Sequence, residues 1–207
     1  MSFAWPDGRD LLTHVTAAFP PGRTGLIGDN GAGKSTALAL LAGRLQPTDG
    51  RITRSGTVAC LPQRFDPGQT VAELLGVRAV LDAIAAVERG GVAPGLFERI
   101  GDDWDVEARA IAALAAVGVD LTSATTTASD DDTFTPDHCS DDHDQSILDR
   151  TVGTLSGGET MLAAIVGMQL AVQRSRADVA LLDEPTNDLD ADAREQVYRL
   201  IGGPRRQ

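Results

Sequence analysis

The stretch GDNGAGKS, at residues 28–35, fits the phosphate-loop pattern G-x-x-x-x-G-K-[ST] at every specified position. Its glycines let successive backbone N–H groups turn inward around phosphate oxygens, and a helix that starts at the loop presents its positive N-terminus to the same anion. Lys34 would reach the β- and γ-phosphates, and the Ser35 hydroxyl would ligate Mg²⁺. Lys34 is the only lysine in a chain whose other cationic side chains are all arginine. A compact ammonium in this one position favours phosphate binding over a chance glycine loop before a helix.

Secondary structure around this loop is predicted in the order strand, loop, helix. An apolar run at residues 24–27 leads into the loop, and the Ala- and Leu-rich segment 35–45 predicts a helix that begins there. Short strands are predicted at residues 2–5, 12–19, 51–53 and 57–61, with a turn at residues 6–8 between the first two. This order is typical of the strand, phosphate loop and helix unit of α/β proteins.

The middle of the chain predicts a helical subdomain over about residues 70–173, because apolar residues recur at three- and four-residue steps from Thr70 to Val117. One of its helices is predicted at residues 105–117. The apolar stripe of that helix is predicted to be Ile111, Leu114 and Val117. Residues 122–145 interrupt the region with seven aspartates and no lysine or arginine. Such a segment buries too little to offset its ordering entropy, so we expect a disordered acidic insertion.

An acidic strand end is the second motif. Residues 179–182 predict a strand buried on both faces, and Asp183 and Glu184 follow it directly. Asp183 would hold Mg²⁺ directly or through water, and Glu184 would accept a proton from the water that attacks the γ-phosphate. The alternative is a strand end that is acidic by chance. A last helix is predicted at residues 191–201.

The third motif is LSGGE at residues 155–159, at the start of a helix predicted from Ser156 to about Gln173. Ser156 and Glu159 have the spacing of a capping box, which is a purely structural interpretation. That interpretation leaves Gly157 and Gly158 unexplained. A second anion site made of backbone N–H groups at a helix N-terminus accounts for all four residues.

With Gln63 and the run EPTNDLD at residues 184–190, these motifs resemble the ATP-binding-cassette (ABC) ATPases. LSGGE is far more specific to that family than a phosphate loop alone. The resemblance implies an α/β P-loop NTPase fold of the ABC type, with a mixed sheet core, an antiparallel β edge and a helical subdomain. It implies one cassette over residues 1–207.

The resemblance also implies roles for individual residues, with ATP and Mg²⁺ as cofactors. Its catalytic residues would be Lys34, Gln63 and Glu184, and its metal-binding residues would be Ser35, Gln63 and Asp183. Asp190 would lie at a dimer interface, and Trp5 would stack on adenine unless it is only a packed strand residue. The residues implied to bind ATP are Trp5, Gly28, Asp29, Asn30, Gly31, Ala32, Gly33, Lys34, Ser35, Thr36, Ser156, Gly157, Gly158 and Glu159.

Partners are implied in the same way, because in this family the signature loop of one cassette closes over ATP held by another. A homodimer or a second cassette is therefore expected. Residues 101–109, 149–154 and 184–190 look like the soluble ABC-F proteins, which act on the ribosome. The alternatives are the ATPase subunit of a membrane transporter and an ATP-binding fragment with little turnover.

Three departures from the ABC-F pattern bear on this interpretation. The chain has one cassette and no long charged linker, and the helix after LSGGE lacks the usual polar and basic residues. The family places two more strands and a switch histidine after the last helix, and neither His14, His138 nor His143 is near that position. We therefore expect a cassette truncated at its C-terminus.

Composition narrows the class of protein. A length of 207 residues with 42% hydrophobic content suits one domain with an insertion, and no apolar run is long enough for a membrane helix. The net charge of −12 argues against broad capture of nucleic acid, so an RNA partner would need a local basic surface. Two cysteines, Cys60 and Cys139, match no metal-ligand spacing and fit a reducing compartment. We expect a cytoplasmic protein.

Overall fold

A computed structural model describes residues 1–61, 64–121, 146–174, 177–187 and 189–202. The chain divides into two compact units, one formed within residues 1–63 and 171–185, the other within residues 64–170 and 186–207. The first unit contains all the described strands and one helix, and the second contains helices. This composition confirms the α/β class.

An antiparallel pair of strands opens the first unit. Strand β1 is Phe3–Ala4 and strand β2 is Asp10–Leu12. The predicted turn between them forms, and the Gly8 N–H donates to the Trp5 carbonyl at 2.9 Å. The predicted second strand over 12–19 is wrong, because β2 starts at Asp10 and the residues after Leu12 leave the ladder.

A parallel pair of strands is the other sheet of this unit. Strand β3, Val58–Cys60, pairs with strand β4, Val179–Leu181, in the register Val58 to Val179. The antiparallel and parallel pairings expected of a mixed sheet thus lie in two separate two-stranded sheets within the described residues.

Two predicted strands and one burial prediction are wrong. Residues 24–27 and 51–53 are irregular, and the Ile27 side chain is 95% exposed. The strand at 179–182 was expected to be buried on both faces, but Val179 and Ala180 are exposed. A strand buries its faces only where other layers of the protein cover them.

Helix α1, Lys34–Ala42, begins at the phosphate loop as predicted and packs against β3. The predicted end at residue 45 is too late. Gly43 adopts a left-handed conformation with φ of 78°, and its N–H donates to the Leu40 carbonyl at 3.1 Å. This glycine cap ends the helix.

Six helices form the described part of the second unit, although the last residues of α6 belong to the first. They are α2 (Val71–Leu74), α3 (Arg78–Glu88), α4 (Pro94–Ile100), α5 (Val106–Ala116), α6 (Gly157–Gln173) and α7 (Ala191–Gly202). Short 3₁₀ turns at Ile147–Asp149 and Val152–Thr154 precede α6. Helix α5 lies within one residue of its predicted bounds at each end, but its buried residues are Val106, Ala110 and Leu114, and Ile111 of the predicted stripe is partly exposed.

The core of this unit lies around α6, of which eight residues are buried. Gly167 lets it approach α2 closely, because a Cβ there would lie 2.9 Å from the Leu74 carbonyl oxygen. Across the described ranges, no helix is long and apolar enough to cross a membrane. The predicted acidic insertion, residues 122–145, falls outside the described residues.

Candidate nucleotide site

The phosphate loop in the first unit is shaped by two glycines in the left-handed region. Gly31 has φ of 83° and Gly33 has φ of 91°, a conformation that costs an L side chain energy. Gly33 is the N-cap of α1 and provides no side-chain cap. The first turn of α1 contains no acidic residue. The helix therefore begins with backbone donors that its own side chains do not cap and with its positive dipole end uncompensated.

Lys34 brings a full positive charge to this loop. Its Nζ donates to the Gly28 carbonyl at 2.9 Å and to the Asp29 carbonyl at 3.1 Å. Among the described residues it forms no ion pair with a carboxylate. Ser35 and Thr36 follow in the first turn, with the Ser35 side chain exposed. Ammonium, hydroxyls and helix N-terminus thus occupy one short segment, a donor set suited to a polyphosphate.

Asp183 and Glu184 follow strand β4 in the same unit. Asp183 is partly exposed and Glu184 is exposed. Glu184 has φ of 46°, one of two positive values among non-glycine residues in the described ranges. Strained backbone of this kind is concentrated at functional sites, and here it occurs at the predicted general base.

Trp5 combines features of both interpretations made from the sequence. Its ring meets Phe3 edge to face, with centroids 5.2 Å apart and planes at 82°, as expected of a packed strand residue. It is nevertheless 36% exposed, which leaves surface that a base could cover. Gln63, the other residue predicted near the nucleotide, lies outside the described residues.

The signature loop in the second unit forms the capping box that the sequence predicts. Glu159 N–H donates to Ser156 Oγ at 3.2 Å, and Ser156 N–H donates to Glu159 Oε2 at 2.8 Å. A Cβ on Gly157 would have no atom within 4 Å, so packing does not require a glycine there. Ser156 and Gly157 are exposed. The first backbone hydrogen bond of α6 is the one that the Thr160 N–H donates to the Ser156 carbonyl. The N–H groups of Gly157 and Gly158 precede that bond.

Asp190, predicted at a dimer interface, caps a helix within its own unit. Its Oδ1 accepts from the Ala193 N–H at 2.8 Å at the start of α7. An aspartate three residues before a helical position is a local signal that the sequence already carried. The interface role stays a prediction.

Two arginines near the signature loop are absent from the sequence-based site. Arg150 bonds both Thr154 and Leu121, and Arg78 pairs with Asp149. The ABC-F-like run at residues 149–154 includes Arg150 but gives it no role, and Arg78 lies in no motif because its partner Asp149 is 71 residues away.

No group of three or more His, Cys, Asp or Glu residues in the described ranges could hold a metal by itself. Ser35 and Asp183, the residues of the first unit predicted to hold Mg²⁺, would supply one hydroxyl and one carboxylate. That donor set fits Mg²⁺, which keeps waters and takes one or two protein ligands together with nucleotide phosphates.

The phosphate loop, the capped signature loop and the acidic strand end define a P-loop nucleotide-binding cassette. Residues 12–187 match the profile of the family described as ABC transporter. The chain belongs to this family.

Its relatives include ABC-F proteins and transporter ATP-binding subunits. The tylosin resistance ATP-binding protein TlrC of Streptomyces fradiae is 33% identical, over 96% of this chain and 36% of that protein. The energy-dependent translational throttle protein EttA of Haemophilus influenzae is 32% identical, over 95% of this chain and 34% of that protein. The cobalt import ATP-binding protein CbiO of Rhodobacter capsulatus is 29% identical, over 99% of this chain and 64% of that protein.

The chain thus spans about a third of the length of TlrC and EttA and just under two thirds of CbiO. Among solved structures, a chain titled RNase-L Inhibitor matches at 28% identity with a TM-score of 0.44, over 81% of this chain and 23% of that one.

Proposed function

We propose that this chain binds Mg-ATP at the phosphate loop and hydrolyses it when a second cassette closes over the nucleotide. The observation that carries the proposal is the start of α1, where Gly33 provides no side-chain cap and the Lys34 ammonium lies on the loop carbonyls. Backbone donors already oriented at a helix N-terminus, with a cation beside them, are suited to binding a polyphosphate.

Each predicted residue has a defined task in this proposal. Lys34 would move from the Gly28 and Asp29 carbonyls to the β- and γ-phosphates, and the loop N–H groups would hold the same oxygens. Ser35 and Asp183 would hold Mg²⁺, which supplies charge neutralisation to the phosphates when bound. Glu184 would take the proton of the attacking water, and the exposed part of Trp5 would stack on the base.

The second cassette would contribute its signature loop, Ser156–Glu159. Its glycine amides precede the first helical bond, and the Ser156 hydroxyl retains its own O–H to donate while it caps Glu159. An open surface at Gly157 lets another molecule approach the backbone closely. Either a homodimer or a pair with a different cassette would supply this second signature loop.

Release of phosphate by the purified chain tests hydrolysis. We expect Glu184→Gln to lower the Mg-dependent rate about 100- to 10,000-fold while ATP binding is retained, because only the proton acceptor is lost. Glu98→Gln, which removes an exposed carboxylate on α4, is the matched control and should release phosphate like wild type. Equal, slow release by wild type and Glu184→Gln, with ATP bound by both, would identify an ATP binder with little turnover.

For the partner we propose the ribosome and a cytoplasmic role in translation, supported by 32% identity to EttA, which is named as a translational throttle protein. A transporter ATPase subunit is the second candidate, favoured by the CbiO match over 99% of this chain. Glu184→Gln with ATP should co-sediment with ribosomes, and Lys34→Ala should not. Failure of both to co-sediment would favour the transporter role.

A further inference from the structure

The segment that leads into the signature loop, residues 146–155, is bonded to a distant part of the second unit. Thr70 and Thr151 form an antiparallel bridge, and the Val71 N–H donates to the Arg150 carbonyl at 2.9 Å. The bridge continues where the N–H groups of Val152 and Gly153 donate to the Gln69 and Pro67 carbonyls at 2.8 and 2.9 Å. These cross-chain bonds reach as far as Gly153. Beyond them, Thr154 is bonded within its own turn, where its N–H and its Oγ1 donate to the Thr151 carbonyl at 3.1 and 2.7 Å.

Arg150 completes the connection from Gly153 to the signature loop. Its Nε donates to Thr154 Oγ1 at 2.6 Å and its Nη2 donates to the Thr154 carbonyl at 3.2 Å. Its Nη1 donates to the Leu121 carbonyl at 3.2 Å. One planar guanidinium therefore holds the residue two positions before Ser156 against the end of the region that follows α5.

The Arg150 backbone is itself held in place by its neighbour in sequence. Asp149 accepts a hydrogen bond from Arg78 Nη2 on α3, and the same nitrogen lies 3.4 Å from Thr70 Oγ1. This bond to Asp149 raises the pKa of the Arg78 guanidinium above its ordinary value, against the opposing effect of burial. The Arg150 side chain thus projects from a backbone that these bonds hold in place.

We propose that Arg150 is a positioning residue, which holds Thr154 so that the signature loop is already in place when it meets ATP on a second cassette. The proposal rests on the proposed function and assigns a residue outside its motifs. Lysine could not substitute, because three bonds in three directions need the guanidinium fork. Since Thr154 is exposed, water can replace the lost bonds, so loss of Arg150 should loosen the loop without unfolding the unit.

Hydrogen exchange of the full chain without nucleotide tests this positioning. In Arg150→Lys, amides of residues 154–160 should exchange about tenfold faster, while those of α1 and the urea midpoint stay unchanged. Arg89→Lys, at an exposed arginine that ends α3, is the matched control and should leave every amide unchanged. Wild-type exchange in Arg150→Lys would overturn the proposal, and so would faster exchange over the whole unit, which would mark a general structural role.

Phosphate release supplies the functional measurement. Arg150→Lys should need about tenfold more protein for half-maximal release per cassette, while ATP affinity of the single cassette is unchanged. Unchanged concentration dependence would overturn the link to pairing. Absence of release by wild type would refute the proposed hydrolysis instead, and the exchange result would still decide whether Arg150 holds the loop.

Discussion

The phosphate loop and the signature loop are both glycine-rich turns that open a helix, yet they begin their helices in opposite ways. Helix α1 starts at Gly33, with φ of 91° and no side-chain cap. Helix α6 starts after Ser156, whose side chain and that of Glu159 form a reciprocal capping box. Residues Thr70 and Glu73 cap α2 with the same box, so this device is a normal helix start in this unit.

The start of α1 has backbone donors for which a ligand could supply acceptors, whereas at the start of α6 the chain's own side chains satisfy some of these donors. At α1 the sequence leaves the first-turn donors without a side-chain cap, so a phosphate would supply the missing acceptors. At α6 two donors are already satisfied within the chain, and only the glycine amides remain before the helical ladder. We infer that ATP binding depends mainly on the start of α1. The signature loop would instead contribute to the pairing of two cassettes around the bound ATP.

The largest effect expected in the comparison of these two loops concerns Lys34. Lys34→Ala should weaken ATP binding by one cassette about 100-fold, because two charge-assisted contacts to phosphate are lost. Titration with a fluorescent ATP analogue measures this directly. Lys34→Arg should also bind weakly, since the loop fits a compact ammonium.

Ser156→Ala serves as the comparison and should bind ATP like wild type in the single cassette. Equal losses in Lys34→Ala and Ser156→Ala would contradict the division of labour between the two loops.

A second test compares the two glycines that open these helices. Gly33→Ala should lower the free energy of unfolding by about 1–2 kcal/mol, because φ is positive and the new Cβ would lie 3.1 Å from Leu11 Cγ. Gly157→Ala should change it by less than about 0.5 kcal/mol, since no atom lies within 4 Å. Urea unfolding measures both. A larger loss in Gly157→Ala would show that its glycine is a packing requirement.

A smaller effect than that of Gly33→Ala is expected at the signature cap. Ser156→Ala should cost about 1 kcal/mol of unfolding free energy in urea, because the Glu159 N–H loses its acceptor. Ser156→Thr keeps a capping hydroxyl and should recover most of that loss. If the alanine variant were as stable as wild type, the cap would contribute nothing and Ser156 would be kept for ligand binding alone.

Helices were predicted better than strands, for a physical reason visible in particular residues. Helix α5 and the Ser156 capping box depend on contacts within a few residues, and both lie where the sequence indicated. The run at 24–27 is as apolar as a strand requires, yet Ile27 is 95% exposed. A strand forms only when a partner strand supplies hydrogen bonds, which local composition does not encode.

The candidate site shows the same division. The sequence by itself determined the phosphate loop, the acidic pair at residues 183–184 and the LSGGE cap, because each is a chemical pattern within eight residues or fewer. Only the tertiary structure decided that Arg150 holds Thr154 and Leu121 and that Glu184 has a left-handed backbone. These depend on backbone direction and on partners up to 29 residues away. Spacing along the chain does not specify them, and only folding brings them together.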